Sequence, residues 1–234
     1  MFLTGGASGA LQANWYVAGP EGGAECVVID PGQDAAAACR AAVAESGRQV
    51  AAVLATHGHI DHVADAARLS DSWGVPLFIH SADRPFLVDP AAAVSPDLAP
   101  FVHMLFPDGI GEPSDVREYQ IEGASGRGVV GIGGLEFEVS HAPGHTPGCV
   151  LLSLAAQGGR PPVVFTGDVV FAGSIGRTDF PVGDAAAMRR SLRDRVLPLP
   201  DAAVLLPGHG SATDMARERL GNPYLQPDFL ADRP

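Results

Sequence analysis

Strand-length apolar runs alternate along most of the chain with segments of helical periodicity. The apolar runs predict strands at 12–18, 25–30, 50–55, 77–80, 129–132, 135–140, 149–154, 163–166 and 203–206. Alanine-rich or helically periodic segments predict helices at 33–46, 61–73, 184–196 and 211–220. Because strands and helices alternate, the pattern predicts a layered α/β fold.

Residues 81–128 depart from this pattern. They are rich in proline, glycine and aspartate and show little periodicity, which predicts mostly loop with one or two short helices. A connection of this length inside a compact domain is often functional, so we expect it to form part of an active-site rim.

Three of the eight histidines lie within seven positions, in the segment Thr56–His62 with the sequence THGHIDH. Gly58 allows a tight turn, so His57 and His59 can leave the preceding strand on one side. Asp61 begins the next predicted helix, where a carboxylate is favoured by the helix dipole. Imidazoles and a carboxylate in one small volume predict a metal site. The alternative is an exposed polar loop that happens to contain histidines.

Further candidate ligands stand at the ends of other predicted strands. They are Asp30, His145, Asp168 and His209. Functional groups at strand ends of a layered α/β fold converge on one edge, so we expect these side chains to meet the histidine segment.

The ordered set H-x-H-x-D-H, followed by a later His, Asp and His, resembles the metallo-β-lactamase superfamily. The resemblance implies an αββα four-layer sandwich, as a single domain over residues 1–234, with a site for two divalent metal ions. It implies that one ion is held by His57, His59 and His145, the other by Asp61, His62 and His209, and that Asp168 bridges both. We expect zinc, with iron or manganese as alternatives, because His/Asp sites accept all three metals.

Asp30 is not a metal ligand in that family. We expect it to orient a ligand histidine, with Thr56 beside the ligands in the same supporting role. The alternative for Asp30 is an aspartate that ends a strand before the turn Pro31–Gly32.

The composition of the chain limits the kinds of partner that we expect the protein to bind. A formal charge of −12 argues against nucleic acid, because phosphate binding needs a basic surface. No apolar run approaches the length of a membrane span, and the N-terminus lacks the pattern of a signal peptide. Three widely spaced cysteines fit reduced thiols. We therefore expect a cytoplasmic protein that binds neither nucleic acid nor membrane; its oligomeric state stays open.

Several features resemble the short, single-domain type II glyoxalases within the superfamily. They are an aspartate at Asp168 in place of cysteine, the segment FAGSIGRTDFP at 171–181, the segment PGHG at 207–210 and the late Asn222–Pro223. The resemblance implies a metal-dependent thioesterase that cleaves S-2-hydroxyacyl thiol esters with a hydroxide bridging two ions, and Asp61 or Asp168 accepting its proton. The helical glutathione-binding domain of longer relatives is not expected here, so another small thiol could serve.

A second reading, a mononuclear iron persulfide dioxygenase, is suggested by Cys149 and by the GRTDF segment. An RNA-processing nuclease and a non-catalytic metal-binding module are weaker alternatives. For substrate contacts, we expect Arg177 and Asp179 to line the mouth of the site and His103 to reach it from the long loop. The alternative for Arg177 and Asp179 is a structural ion pair that braces their own loop.

Overall fold

The computed structural model describes residues 1–107, 109–123 and 125–231. Within these residues, twelve strands form two six-stranded sheets whose spatial order follows the chain. The first sheet contains β1 (Phe2–Ser8), β2 (Ala13–Gly19), β3 (Glu25–Ile29), β4 (Gln49–Leu54), β5 (Leu77–Ile79) and β6 (Val116–Glu118). The second contains β7 (Arg127–Ile132), β8 (Leu135–His141), β9 (Val150–Leu154), β10 (Val163–Gly167), β11 (Val204–Pro207) and β12 (Thr213–Asp214).

Helices occupy the connections. The α-helices are α1 (Ala36–Ser46), α2 (Ile60–Val63), α3 (Ala66–Trp73), α4 (Ala99–Leu105), α5 (Ala185–Ser191), α6 (Met215–Gly221) and α7 (Pro227–Leu230). Shorter helical segments are the 3₁₀ turns Arg84–Leu87, Pro90–Ala93 and Pro223–Leu225 and the π-helical turn Leu192–Val196. In the first sheet β3, β4, β5 and β6 run parallel, with α1 between β3 and β4 and with α2 and α3 between β4 and β5.

The two sheets pack face to face over an apolar core. Ile29 and Leu54 of the first sheet join Phe137 and Phe165 of the second in this core, and all four are fully buried. On the outer faces, α1 packs against β2 and β3, and α5 packs against β9, β10 and β11. Both faces of each sheet are therefore covered, and the predicted αββα sandwich is confirmed.

Strand β1 is an element that the hydrophobic pattern does not predict, because it contains two glycines and is only half-buried. It pairs with β2 along its whole length. A Cβ on Gly5 would lie 2.7 Å from Cδ1 of Tyr16, and one on Gly6 would lie 2.8 Å from Cζ2 of Trp15. The large rings of β2 occupy the space above the glycines, so the strand follows from pairing rather than from local pattern.

The single helix predicted over 61–73 is wrong, because the segment forms two helices, α2 and α3. The chain bends at Asp65, whose backbone N–H donates to the Pro31 carbonyl oxygen at 3.1 Å. The Asp65 carboxylate accepts the Ala36 N–H at 2.8 Å, at the start of α1. Asp65 thus connects the junction of α2 and α3 to the loop after β3 and to the start of α1.

The described residues of the segment 81–128 form mostly loop, as predicted, but with three short helical segments rather than one or two. They also contain β6 and the first residues of β7. The predicted helix at 184–196 is confirmed as α5 followed by the π-helical turn. Asp184 caps it by accepting the N–H groups of Ala186 and Ala187. The predicted helix at 211–220 begins later, at Met215, because Thr213 and Asp214 pair with β11.

Candidate metal centre

The candidate ligands all follow strand ends, on loops from both sheets. The loop after β4 and the adjoining α2 supply His57, His59, Asp61 and His62. The ends of β8, β10 and β11 are followed by His145, Asp168 and His209. Asp61 and His209 are half-buried and the others are buried. The fold therefore brings all seven side chains into one cluster at the edge between the sheets.

Three imidazoles form one part of the cluster. His57, His59 and His145 each offer a ring nitrogen, and these atoms lie within 4.8 Å of one another. His59 Nδ1 lies 2.7 Å from His145 Nε2. This trio could hold one metal ion.

The second part combines two imidazoles with carboxylates. His62 Nε2 lies 3.2 Å from His209 Nε2, and His209 Nε2 lies 3.2 Å from Asp61 Oδ2. Asp168 stands between the two parts, with Oδ1 3.4 Å from His62 Nε2 and Oδ2 3.4 Å from His145 Nε2. Asp61, His62 and His209 could hold a second ion, and Asp168 could contact both.

Backbone carbonyl groups orient three of these rings. His59 Nε2 lies 3.1 Å from the Ala93 oxygen, and His145 Nδ1 lies 2.8 Å from the Arg177 oxygen. His209 Nδ1 lies 3.1 Å from the carbonyl oxygen of residue 11. A carbonyl oxygen can only accept, so each of these nitrogens carries a hydrogen, and the other ring nitrogen points into the cluster, where it can offer a lone pair to a cation.

Asp30 and Thr56 orient the remaining two rings. The Thr56 N–H and hydroxyl donate to the two carboxylate oxygens of Asp30, at 2.7 and 2.6 Å. The Thr56 hydroxyl oxygen lies 3.1 Å from His57 Nδ1, and Asp30 Oδ2 lies 3.3 Å from His62 Nδ1. Asp30 also forms a trio of suitable spacing with His57 and His62. Both Asp30 oxygens accept hydrogen bonds from Thr56, and Oδ2 also faces the His62 ring, so the contacts of this carboxylate are those of a group that supports the rings.

The donor set fits a cation. Among the described residues, six buried side-chain atoms have no hydrogen-bond partner, and two of them, His57 Nε2 and Asp168 Oδ1, belong to the cluster. Buried acceptors without a partner are costly, and a bound cation removes that cost. Imidazole and carboxylate donors without thiolates are typical of catalytic zinc, iron or manganese sites.

The two parts of the cluster differ in the direction in which the pKa values of their histidines are shifted. Burial lowers the pKa of His59 and of His145 to about 4, so the imidazole trio is neutral and ready to coordinate. Burial acts in the same direction on His62, but the carboxylates of Asp61 and Asp168 outweigh it and raise the pKa of His62 to about 10. The second part therefore favours a positive charge, which a proton or a metal ion supplies.

Close packing around the cluster requires glycine at position 208. A Cβ there would lie 2.1 Å from Asp168 Oδ1 and 2.7 Å from His62 Cε1. Any larger residue would displace one of these candidate ligands, so the close approach of β11 to the cluster requires Gly208.

Asp83 is a site-supporting residue that the sequence analysis missed. It is fully buried and accepts the Gly58 N–H at 2.8 Å, the Thr146 hydroxyl at 2.6 Å and the Gly148 N–H at 2.6 Å. It thus joins the histidine loop of the first sheet to the His145 loop of the second. The sequence offers no signal for this role, because Asp83 lies in the unpatterned segment after β5.

Of the predicted substrate residues Arg177, Asp179 and His103, only Arg177 lines the cavity over the cluster. Arg177 forms a bidentate ion pair with Asp179, at 2.7 and 2.8 Å, and its guanidinium carbon lies 3.9 Å from the centre of the Phe180 ring. Arg177 lines the cavity described below. His103 is exposed on α4, and the cavity is lined by its neighbour Val102 instead.

Cys149 is buried beside the His145 loop and does not line that cavity. Its Sγ lies 3.1 Å from the Thr146 hydroxyl and 3.4 Å from the Thr146 nitrogen. Burial raises the pKa of the thiol well above its ordinary value, so it stays protonated. These contacts make Cys149 part of the loop packing.

A cavity of about 540 Å³ opens over the cluster. Its floor is formed by the candidate ligands His59, Asp61, His145, Asp168 and His209. Its walls come from α4, from the 171–180 loop and from residue 11.

In the part of the chain that the structure describes, no helix combines the length and the apolar character that a membrane crossing requires.

Known proteins resemble this chain over most of its length. A family model described as the Metallo-beta-lactamase superfamily matches residues 8–209. Hydroxyacylglutathione hydrolase GloC of Haemophilus influenzae is 36% identical over 200 residues, 85% of this chain and 86% of GloC.

Two solved structures match across nearly the whole chain. The structure of BLEG-1 B3 metallo-beta-lactamase has a TM-score of 0.79 and 30% identity, covering 96% of this chain and 99% of that one. The structure of TTHA1623 in a di-iron-bound form has a TM-score of 0.74 and 32% identity, covering 95% and 100%. The chain belongs to the metallo-β-lactamase superfamily.

Proposed function

We propose that this protein is a dinuclear metal-dependent thioester hydrolase of the type II glyoxalase kind, which cleaves S-2-hydroxyacyl esters of a small thiol. One observation carries the proposal: five imidazole rings and two carboxylates converge beneath one open cavity. The similarity to GloC, whose name describes a hydroxyacylglutathione hydrolase, supports the reaction class.

The ligand roles are part of the proposal. We assign one ion to His57, His59 and His145, and the other to Asp61, His62 and His209, with Asp168 shared. Zinc is proposed, with iron or manganese as alternatives; the similar protein TTHA1623 is known in a di-iron-bound form. When bound, such ions activate a water molecule and polarise a carbonyl group.

The chain's own groups prepare this chemistry. Asp30, Thr56 and the three carbonyl oxygens hold each ring with one lone pair inward, so no ring has to turn. Asp61 and Asp168 are the carboxylates within the cluster that can accept a proton from the attacking water. In the reaction one water is consumed, the carbonyl C–S bond breaks and a C–O bond forms. A carboxylate and a thiol are released, and one proton passes to the solvent.

The partner implied is a small-molecule thioester. The formal charge of −12 supports a protein that binds no nucleic acid, and a cytoplasmic location is proposed with it. The similarity to BLEG-1 favours β-lactam hydrolysis as a second candidate, since both reactions open an acyl bond. A thiolate leaves without a proton, whereas an amide nitrogen must be protonated, so the two substrates place different demands on the site.

The test compares the wild-type protein with His59→Ala and Asp168→Ala. We expect about two metal ions per wild-type chain by elemental analysis and hydrolysis of a 2-hydroxyacyl thioester. Each variant should lose metal and reduce kcat/KM by about 100-fold or more, because each removes a proposed ligand.

His103→Ala is the matched control, because it removes an exposed imidazole that is outside the cluster. It should leave the metal content unchanged. Hydrolysis that survives either ligand substitution would contradict the proposal. If the protein held a single iron per chain and consumed oxygen with a thiol persulfide, the hydrolase proposal would give way to the dioxygenase. If it hydrolysed β-lactams but not thioesters, the proposal would give way to β-lactam hydrolysis.

A further inference from the structure

The cavity above the cluster has an apolar wall. Four of its large side chains are exposed to solvent: Leu98 by 41%, Leu105 by 60%, Phe101 by 61% and Leu11 by 65%. Scattered surface leucines are ordinary, but a group of exposed apolar residues around one concave site marks a binding surface. Three of these residues belong to α4 or immediately precede it.

Cationic groups are scarce at this site. The sequence contains no lysine, so all of its basic side chains apart from histidine are arginines. Among the residues that line the cavity, all within the described part of the chain, Arg177 is the only arginine. Its guanidinium is paired with Asp179, and Asp97 also contributes negative charge beside it.

On the floor of the cavity, Asp61 and Asp168 offset the positive charge of the ions proposed there, and that charge lies below the reacting carbonyl rather than at the α4 wall. A thiol such as glutathione, which carries two carboxylates and one ammonium, would find one arginine that is already neutralised. Desolvating an unpaired carboxylate against an apolar wall is strongly unfavourable. An uncharged apolar group would gain free energy by covering the same wall.

We infer that the α4 wall recognises an uncharged, apolar substituent of the thioester, rather than an anionic peptide thiol. This inference rests on the proposed hydrolase function and specifies its substrate class. The substituent can belong to the acyl group or to the thiol, since both flank the reacting carbonyl. The concave shape and its continuity with the candidate ligands favour a small molecule over a second protein surface.

The experiment uses two substrate series with the metal-loaded protein. In one, the acyl chain is lengthened on a constant uncharged thiol, N-acetylcysteamine. In the other, a constant 2-hydroxypropanoyl group is carried by glutathione or by uncharged alkyl thiols of increasing length. We expect kcat/KM to rise with apolar length in one series, which identifies the half of the substrate that contacts α4, and to be lower for the glutathione ester.

Phe101→Ser and Leu105→Ser probe the wall. Each should raise KM for the preferred apolar substrate by about tenfold, with kcat little changed, because binding area is lost away from the reacting carbonyl. Met104→Ser is the matched control: Met104 is 69% exposed on the same helix and does not line the cavity. It should change KM by less than about twofold. Thermal unfolding verifies that the three variants fold alike.

A binding measurement separates the two proposals. Non-hydrolysable thioether analogues of both series are titrated into the same proteins by calorimetry. Hydrolysis that prefers the glutathione ester, or equal effects of Phe101→Ser and Met104→Ser, would overturn the apolar assignment and leave the hydrolase standing. Selective binding of apolar analogues without any thioester hydrolysis would refute the hydrolase while supporting the apolar wall.

Discussion

Thr56 shows how a neutral hydroxyl can determine the tautomer of a candidate ligand histidine. It donates to Asp30 Oδ2 at 2.6 Å, which leaves its oxygen free to accept from His57 Nδ1 at 3.1 Å. With the hydrogen on Nδ1, the neutral ring carries a lone pair on Nε2. His57 Nε2 is buried and has no hydrogen-bond partner. A single side chain thus selects the tautomer that can bind a metal.

Replacing Thr56 with valine should therefore weaken metal binding. Valine has nearly the same shape but cannot relay the hydrogen bond, so we expect metal affinity to fall by about 10- to 100-fold in competition with a chelator. Thr166→Val is the matched control, since Thr166 is also buried but donates to the Val170 carbonyl oxygen at 2.9 Å rather than toward a ligand. Equal affinity losses in the two variants would refute the relay.

At the scale of elements, the site depends on how two loops from different sheets are joined. Asp83 follows β5 and accepts hydrogen bonds from Gly58, Thr146 and Gly148, on the loops that carry the candidate ligands of the imidazole trio. A Cβ on Gly148 would lie 2.5 Å from the Asp83 Cγ, so the carboxylate and the loop pack without spare space. The relative position of His57, His59 and His145 follows from this contact.

Asp83→Ala should be strongly destabilising. It would leave two backbone N–H groups and one hydroxyl buried without acceptors, at about 1–3 kcal/mol each, so we expect a loss of about 3 kcal/mol or more in the free energy of unfolding. Urea denaturation of the metal-free protein measures this loss. Asp71→Ala is the control, because the exposed Asp71 accepts one backbone N–H, from Ser114 at 2.7 Å. A loss below about 1 kcal/mol for Asp83→Ala would contradict the joining role.

At the scale of the whole molecule, a pair of histidines contributes a contact between the two sheets. His80 follows β5 and His141 ends β8, and their rings stack with centroids 4.2 Å apart and planes 11° from parallel. His80 Nδ1 accepts the Ala82 N–H at 3.1 Å, which requires a neutral ring. Burial, and then the proximity of His141, lowers the pKa of His80 to about 4, although Glu118 opposes the shift.

This lowered pKa predicts a dependence of stability on acid. Since the unfolded His80 titrates near 6.5, its contribution is fully present above that pH and is lost as the pH falls toward 4. His80→Phe keeps the stacking but cannot be protonated. At about pH 8 the neutral His80 accepts the Ala82 N–H, which phenylalanine cannot do, so wild type should be the more stable protein. At about pH 5 its advantage in Tm should shrink or reverse. A constant difference in Tm across this range would show that His80 does not titrate as described.

Much of the fold and the identities of the clustered residues were predictable from local sequence. Apolar runs and helical periods located most strands and helices, and the resemblance to the superfamily, carried by histidines and aspartates at strand ends, is confirmed by the family match over 8–209. The strands that were missed, β1, β6 and β12, acquire their conformation from pairing with neighbours. The break at Asp65 likewise depends on Pro31 and Ala36, which lie about 30 residues away along the chain.

The sequence by itself determined which donors were available, and their order along the strands. Only the tertiary structure decided that Asp83 joins two loops, that Arg177 is paired with Asp179, and that α4 turns its apolar residues toward the cavity while His103 stays exposed. The physical reason is that a donor's identity is local, whereas its hydrogen-bond partner, burial and charge environment depend on residues distant in the chain.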